Sequence, residues 1–174
     1  MIRVMSPCEL EAETVDHLTK RLFIAFGVGV RLLNERTETG LVAERLPQEA
    51  YEPKGNLYDA QKLLVHAPKV PGVLDDKVLY VVDRPLSLPL GPMGKGPVDG
   101  FADDAHRHAV VTSHGLSAGE TFPQLLAKRA IRQTGHLFGL HHCHDARCAM
   151  LPGWREGFEA NPERSDEPHV RHQR

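Results

Sequence analysis

The stretch QTGHLFGLHHCHDARCAM, Gln133 to Met150, decides how this chain is read. His136 and His142 stand six residues apart with Gly139 midway. Arg132 lies one turn before His136 on the same helical face, followed by Gln133. A guanidinium is permanently protonated and has no lone pair for a metal, and a carboxamide cannot take up a proton. Directly after His142 come Cys143, then Cys148 and Met150. Two thiols at this spacing are soft donors suited to zinc.

The spacing is that of the second half of HExxHxxGxxH. In the full motif two His four residues apart bind zinc, the Glu between them is the general base, and a third His follows a helix-ending Gly. Here the first ligand position is Arg132 and the base position is Gln133. HxxGxxHC, four further residues and then CxM resembles the archaemetzincin branch of the metzincin clan of zinc peptidases. Upstream, Val78–Val82, the loop to Pro97, Asp99–Ala102 and Val110–Leu116 resemble that family's strand, rim loop and edge strand. The resemblance covers most of residues 70–150 and, more loosely, the N-terminal part. It implies a twisted mixed sheet with the zinc helix packed behind it, and Met150 beneath the active site. From the residues alone, an apolar core methionine describes Met150 equally well. The family's later CxxC pair has no counterpart here. Near its place stands His169-Val-Arg-His172, an HxxH pair displaced by one residue.

These departures set the functional expectation. Only His136 and His142 remain of the usual triad, whereas a catalytic zinc takes three protein ligands and a water. Arg132 is expected to substitute in part for the missing cation by hydrogen-bonding acceptors in the cleft. Loss of a general base alone costs about 10²–10⁴ in rate. Loss of the metal removes the Lewis acid and the acidified water as well. The expected protein is an archaemetzincin-like, zinc-binding chain with an impaired hydrolytic centre and no catalytic residue assigned. One structural zinc is expected on Cys143, Cys148, His169 and His172, tying the C-terminal tail to the helix end. The alternative for this second site is a disordered tail and two reduced thiols. Two other functions stay open. One is a working zinc peptidase, aminopeptidase-like as the resemblance allows, with a third ligand from His141, His144, His106, His108 or His114 and a base such as Glu120 or a rim-loop Asp. The other is a metal-handling module, motivated by six of the 11 His falling between His136 and His172.

Composition bounds the rest. A chain of 174 residues, 41% apolar and 25% charged, reads as one α/β domain over residues 1–174, with 161–174 a flexible or metal-tethered tail. A net charge of −2 offers no electrostatic reason for a nucleic acid or an anionic membrane as partner. Peptides or protein termini are the expected partners. No apolar run is long enough to span a bilayer, and MIRVMSPCELEAE lacks the apolar core of a secretory signal. Three Cys, two in metal-type spacing, point to a reducing, cytoplasmic setting. Cys8 is read as an inert thiol near a helix start.

Along the chain, Ile2–Met5 reads as a buried strand, with Ser6 and Pro7 opening a helix that Gly27 stops. Val28–Leu32 alternates into a strand. Pro47–Gly55 is a polar connection, and Asn56 caps a helix to about Val65. Lys77–Val82 is a core strand by its β-branched density. Residues 85–100 hold too much Pro and Gly for regular structure and read as a surface loop. Their GPMGKG piece lacks the Ser/Thr of a phosphate loop. Ala109–Thr112 is a short strand, and Thr121 and Pro123 start a helix to about Leu140. Asp103 and Asp104 read as a polar loop, and Trp154 packs the C-terminal segment.

Overall fold

Lys77–Val82 is buried on both faces: Leu79 and Val81 enter one apolar cluster, and Val78, Tyr80 and Val82 enter another. A strand covered twice must lie inside a sheet with helices on either side. The computed structural model describes residues 1–33, 46–66, 75–89, 94–116, 119, 121–143, 145 and 148–151. His144, Glu120, Trp154, His169, His172 and the tail after 151 lie outside the described residues.

The elements are β1 (Ile2–Met5), α1 (Ala12–Phe26), β2 (Val30–Leu33), a 3₁₀ turn (Gln48–Ala50), β3 (Tyr51–Glu52), β4 (Leu57–Asp59), α2 (Ala60–His66), β5 (Lys77–Val82), β6 (Leu86–Pro89), β7 (Lys95–Val98), β8 (Gly100–Ala102), β9 (His108–Thr112) and α3 (Phe122–Leu137). The main sheet runs β2-β1-β5-β9-β8. Its first four strands are parallel, and β8 closes the edge antiparallel to β9. On one face, Leu18 and Leu22 of α1 and Leu126, Ala130 and Ile131 of α3 pack on Ile2, Val4, Leu79 and Val111. On the other, Ala60, Leu63 and Leu64 of α2 pack on Val78, Tyr80 and Val110. Burial between these layers pushes the Tyr80 phenol up to about 12. This is the expected α/β architecture, with a mixed sheet and the motif helix packed behind it. Among the described residues, no helix is long and apolar enough to cross a membrane.

A second, four-stranded sheet, β3-β4-β6-β7, corrects the reading of residues 85–100 as loop. Leu86 is buried against Val82, and its strand pairs antiparallel with β7, Ser87 opposite Pro97. Pro97 is tolerated because β7 is the outer strand and only one of its sides must form a ladder. Residues 90–93 lie outside the described part. Helix starts were also misplaced. Asn56 has φ 48° and precedes β4; the cap of α2 is Asp59, whose Oδ1 accepts from Lys62 N at 3.0 Å. Ser6 does not cap α1, which begins at Ala12. Its hydroxyl donates to Cys8 O at 2.7 Å, and Cys8 Sγ lies 3.1 Å away. Burial pushes the Cys8 thiol up. Local hydrogen bonds from Ser and Asn compete with helix starts, which is why such residues mislead a sequence reading.

Two buried carboxylates hold the sheet margins. Asp76 accepts from Arg3 Nε at 2.6 Å and pairs with the N-terminal amine, and Asp59 accepts from Lys95 Nζ at 2.8 Å while Lys95 also bonds Glu52. Burial pushes both carboxyls up, but the hydrogen bonds and the cations outweigh it, and each is held below the usual carboxylate range. A folded pKa below the unfolded value, about 3.9, gives stability that is complete above pH ~4 and lost as pH falls through the folded value. Urea unfolding from pH 6 to pH 3 should therefore show a falling midpoint below pH ~4. Lys95→Met should lower stability by about 1 kcal/mol at pH 7, its partly exposed ammonium being screened, and should flatten that acid loss. An unchanged acid slope in the variant would remove Asp59 from this role.

Candidate active-site cleft

Helix α3 carries the motif. Pro123 sits in its first turn, and Leu126, Ala127, Ala130 and Ile131 fix its rotation by burial on the sheet. The helix ends at Leu137, three residues earlier than expected. Gly139 takes φ 77°, Gly139 N bonds His136 O at 3.0 Å, and Leu140 N bonds Gly135 O at 2.9 Å. These are the two bonds of a Schellman stop, and they turn the chain beneath the helix end. Cys143 N then bonds Met150 O at 3.1 Å, bringing these two residues side by side. Met150, 2% exposed, reaches the helix where Gly135 has no side chain: a Cβ there would lie 2.5 Å from its Sδ.

The turn brings His136 and His142 together, with ring centroids 4.8 Å apart and planes nearly perpendicular. His136 Nδ1 lies 2.9 Å from Leu140 O, and His142 Nδ1 lies 3.4 Å from Met150 O. A carbonyl only accepts, so each Nδ1 carries a proton, and the neutral form of either ring would have its lone pair on Nε2. This is the tautomer that metal-binding histidines adopt. Burial pushes the His136 imidazole below its ordinary pKa. The Leu140 carbonyl opposes that shift, and His142 and Arg132 add to it.

The third position holds a cation. Arg132 is 3% exposed; its Nη1 donates to Asp99 Oδ2 at 2.6 Å and its Nε to Ala149 O at 3.3 Å. Asp99 lies in the bend between β7 and β8, and its own carbonyl accepts from Thr112 N at 3.0 Å. Gln133, 5% exposed, packs against β8 at Gly100, where a Cβ would come within 2.6 Å of its Cγ. Two lone-pair donors beside a paired guanidinium do not fit a catalytic zinc, which needs three protein ligands.

The other expected site residues divide. Cys143 is half-buried and Cys148 buried, on either side of one turn, and neither is in a disulfide. Asp145 N lies 3.4 Å from Cys143 Sγ. Among the described residues no three potential ligands converge on one point. The thiols suit a structural zinc, but His169 and His172 fall outside the described residues. Of the spare histidines, His106 Nδ1 contacts His136 O at 2.9 Å, and His108 Nδ1 contacts Asp103 Oδ2 at 3.0 Å. Asp103 Oδ1 also accepts from Arg107 N and His108 N, as a polar turn residue does. The sequence reading missed Asp99 as the partner of Arg132. A buried Arg on a helix signals an acidic partner somewhere, but the spacing of 33 residues carries no periodicity that would point to this one.

No family model matches the chain. An archaemetzincin of Aeropyrum pernix is 31% identical over 112 residues, 60% of this chain and 57% of that protein. An archaemetzincin of Natronomonas pharaonis is 28% identical over 117 residues, 62% of this chain and 65% of that protein. The crystal structure of an archaemetzincin from Methanopyrus kandleri superposes with a TM-score of 0.73 at 22% identity, covering 98% of this chain and 89% of that one. The chain resembles archaemetzincins in sequence over about 60% of its length and shares their fold. It matches less than two thirds of the length of the two sequence relatives. Read against HExxHxxGxxH, Arg132 and Gln133 stand at the positions of the first zinc ligand and the general base.

Proposed function

We propose that this archaemetzincin-like chain is a catalytically impaired metallopeptidase homologue that binds peptides or protein termini in its cleft without cleaving them. One observation carries the reading: the buried guanidinium of Arg132, paired with Asp99, stands one turn from His136. Gln133 reinforces it, because a carboxamide cannot accept a proton from an attacking water. Asp99, a rim-loop candidate for a substitute base, is engaged by Arg132. The softness and spacing of Cys143 and Cys148 support a structural zinc, completed in this proposal by His169 and His172.

Elemental analysis of the purified protein, with peptide-library digestion before and after zinc addition, tests both parts. The expected result is about one zinc per chain, from the four-donor structural site, and no chelator-sensitive cleavage. His169→Ala with His172→Ala should lower the zinc content, and unchanged content would remove the tail from that site. A second reading, a peptidase with an unorthodox third ligand, is favoured by the protonated Nδ1 of His136 and His142, which in the neutral ring leaves the lone pair on Nε2. Zinc-dependent hydrolysis by the unaltered chain would establish it in place of the first.

A further inference from the structure

In an intact motif a bound ion joins the active-site helix to the segment beyond its terminal Gly, because its ligands come from both. The Arg132 guanidinium reaches the same two pieces and one more. Its Nε holds Ala149 O in the turn after α3, and its Nη1 holds Asp99 in the bend between β7 and β8. Asp99 is itself fixed to the sheet through Thr112 N, and Gly100 beside it opens β8. The bonds lie 17 residues downstream and 33 residues upstream of Arg132, so one side chain ties together segments that no local structure joins. The planar fork of a guanidinium suits two acceptors in different directions, which a single ammonium does not.

We infer that Arg132 and Asp99 form an ionic clamp that takes over a metal's cross-linking role, tying the Asp99 bend and the turn after α3 to the helix alongside the packing of Gln133 on Gly100 and of Met150 on Gly135. The inference rests on the reading of a cleft without catalytic zinc and adds what helps hold these segments together. A metal clamp yields to chelators; this one does not, because its cation is covalently part of the chain.

Hydrogen exchange of the full-length protein, read by mass spectrometry at Gly100–Ala102 and Cys148–Leu151, tests the clamp. Arg132→Ala should accelerate exchange at both stretches by roughly tenfold or more. Asp99→Asn should accelerate Gly100–Ala102 while sparing Cys148–Leu151. Arg132→Lys should fail to restore one of the two stretches, and millimolar methylguanidinium should partly rescue Arg132→Ala. EDTA should leave Gly100–Ala102 of the parent protein unchanged. Exchange at Gly100–Ala102 within twofold of the parent in Arg132→Ala would overturn the clamp, as would loosening of that stretch by EDTA alone. Should Arg132→Ala fail to fold, Asp99→Asn decides by the same twofold criterion. Peptide cleavage is assayed separately: a failed clamp in an inactive parent leaves the proposed function standing, and chelator-sensitive cleavage with an EDTA-loosened Gly100–Ala102 stretch removes both.

Discussion

Arg132→His combined with Gln133→Glu is expected to turn this chain into a zinc-loaded hydrolase. The new imidazole would project from α3 one turn before His136, on the face where His136 and His142 already hold their Nδ1 protons against carbonyls. Zinc content should rise by about one ion per chain, the gain expected once three protein ligands are present. The new Glu has the size of the Gln it replaces and enters the same space beside Gly100. As general base it should contribute about 10²–10⁴ in rate over Arg132→His alone. Gln133→Glu alone should gain no metal, because Arg132 still places its cation beside the histidines. The repair has a cost: Asp99 loses its partner, and breaking a buried pair takes up to about 3–5 kcal/mol, less here because Asp99 is a quarter exposed. The metal-free double variant should therefore melt below the parent and recover when zinc binds the folded state. Elemental analysis, thermal melts with and without zinc, and peptide hydrolysis read these three effects. A double variant with no extra metal would show that the impairment lies deeper than these two side chains.

Gly100→Ala should be among the most damaging single substitutions in the sheet. A Cβ at this position would lie 2.6 Å from the carbonyl oxygen of Val110 and 2.6 Å from Gln133 Cγ. The side chain could swing away, but the carbonyl belongs to β9, in the middle of the parallel ladder. Overpacking costs about 1–3 kcal/mol where neighbours can give, and a backbone neighbour puts this case at or above the upper end. The expected outcome is a stability loss of about 3 kcal/mol by urea unfolding, with β8 displaced from α3. Adding Gln133→Ala should recover only a small part, since Val110 O remains. Full recovery by that second change would place the clash on the side chain. By contrast, Gly135→Ala meets the flexible end of Met150 and should cost less.

Periodicity and motif spacing carried the sequence reading a long way. KVLYVV marked a core strand, and HxxGxxHC marked the end region of the helix that carries His136. What failed was local. Pro89 at the end of the inner strand β6, Pro97 in the outer strand β7 and the glycines around them concealed both strands, because they interrupt the alternation that marks a strand. Asn56 looked like a cap, yet Asp59 does the capping three residues later. The pairing of Arg132 with Asp99 was beyond reach for a different reason. It depends on β8 running antiparallel beside β9, a tertiary fact that no window of sequence encodes.

The outer strand β7 has one more effect. Pro97 has no N–H to offer an approaching backbone, and β3 at the opposite margin is just two residues long. Neither border of the smaller sheet gives a neighbouring molecule a row of groups on which to nucleate another strand. Sheet extension is thereby disfavoured at these two margins, through the same residues that make this half of the protein hard to recognise.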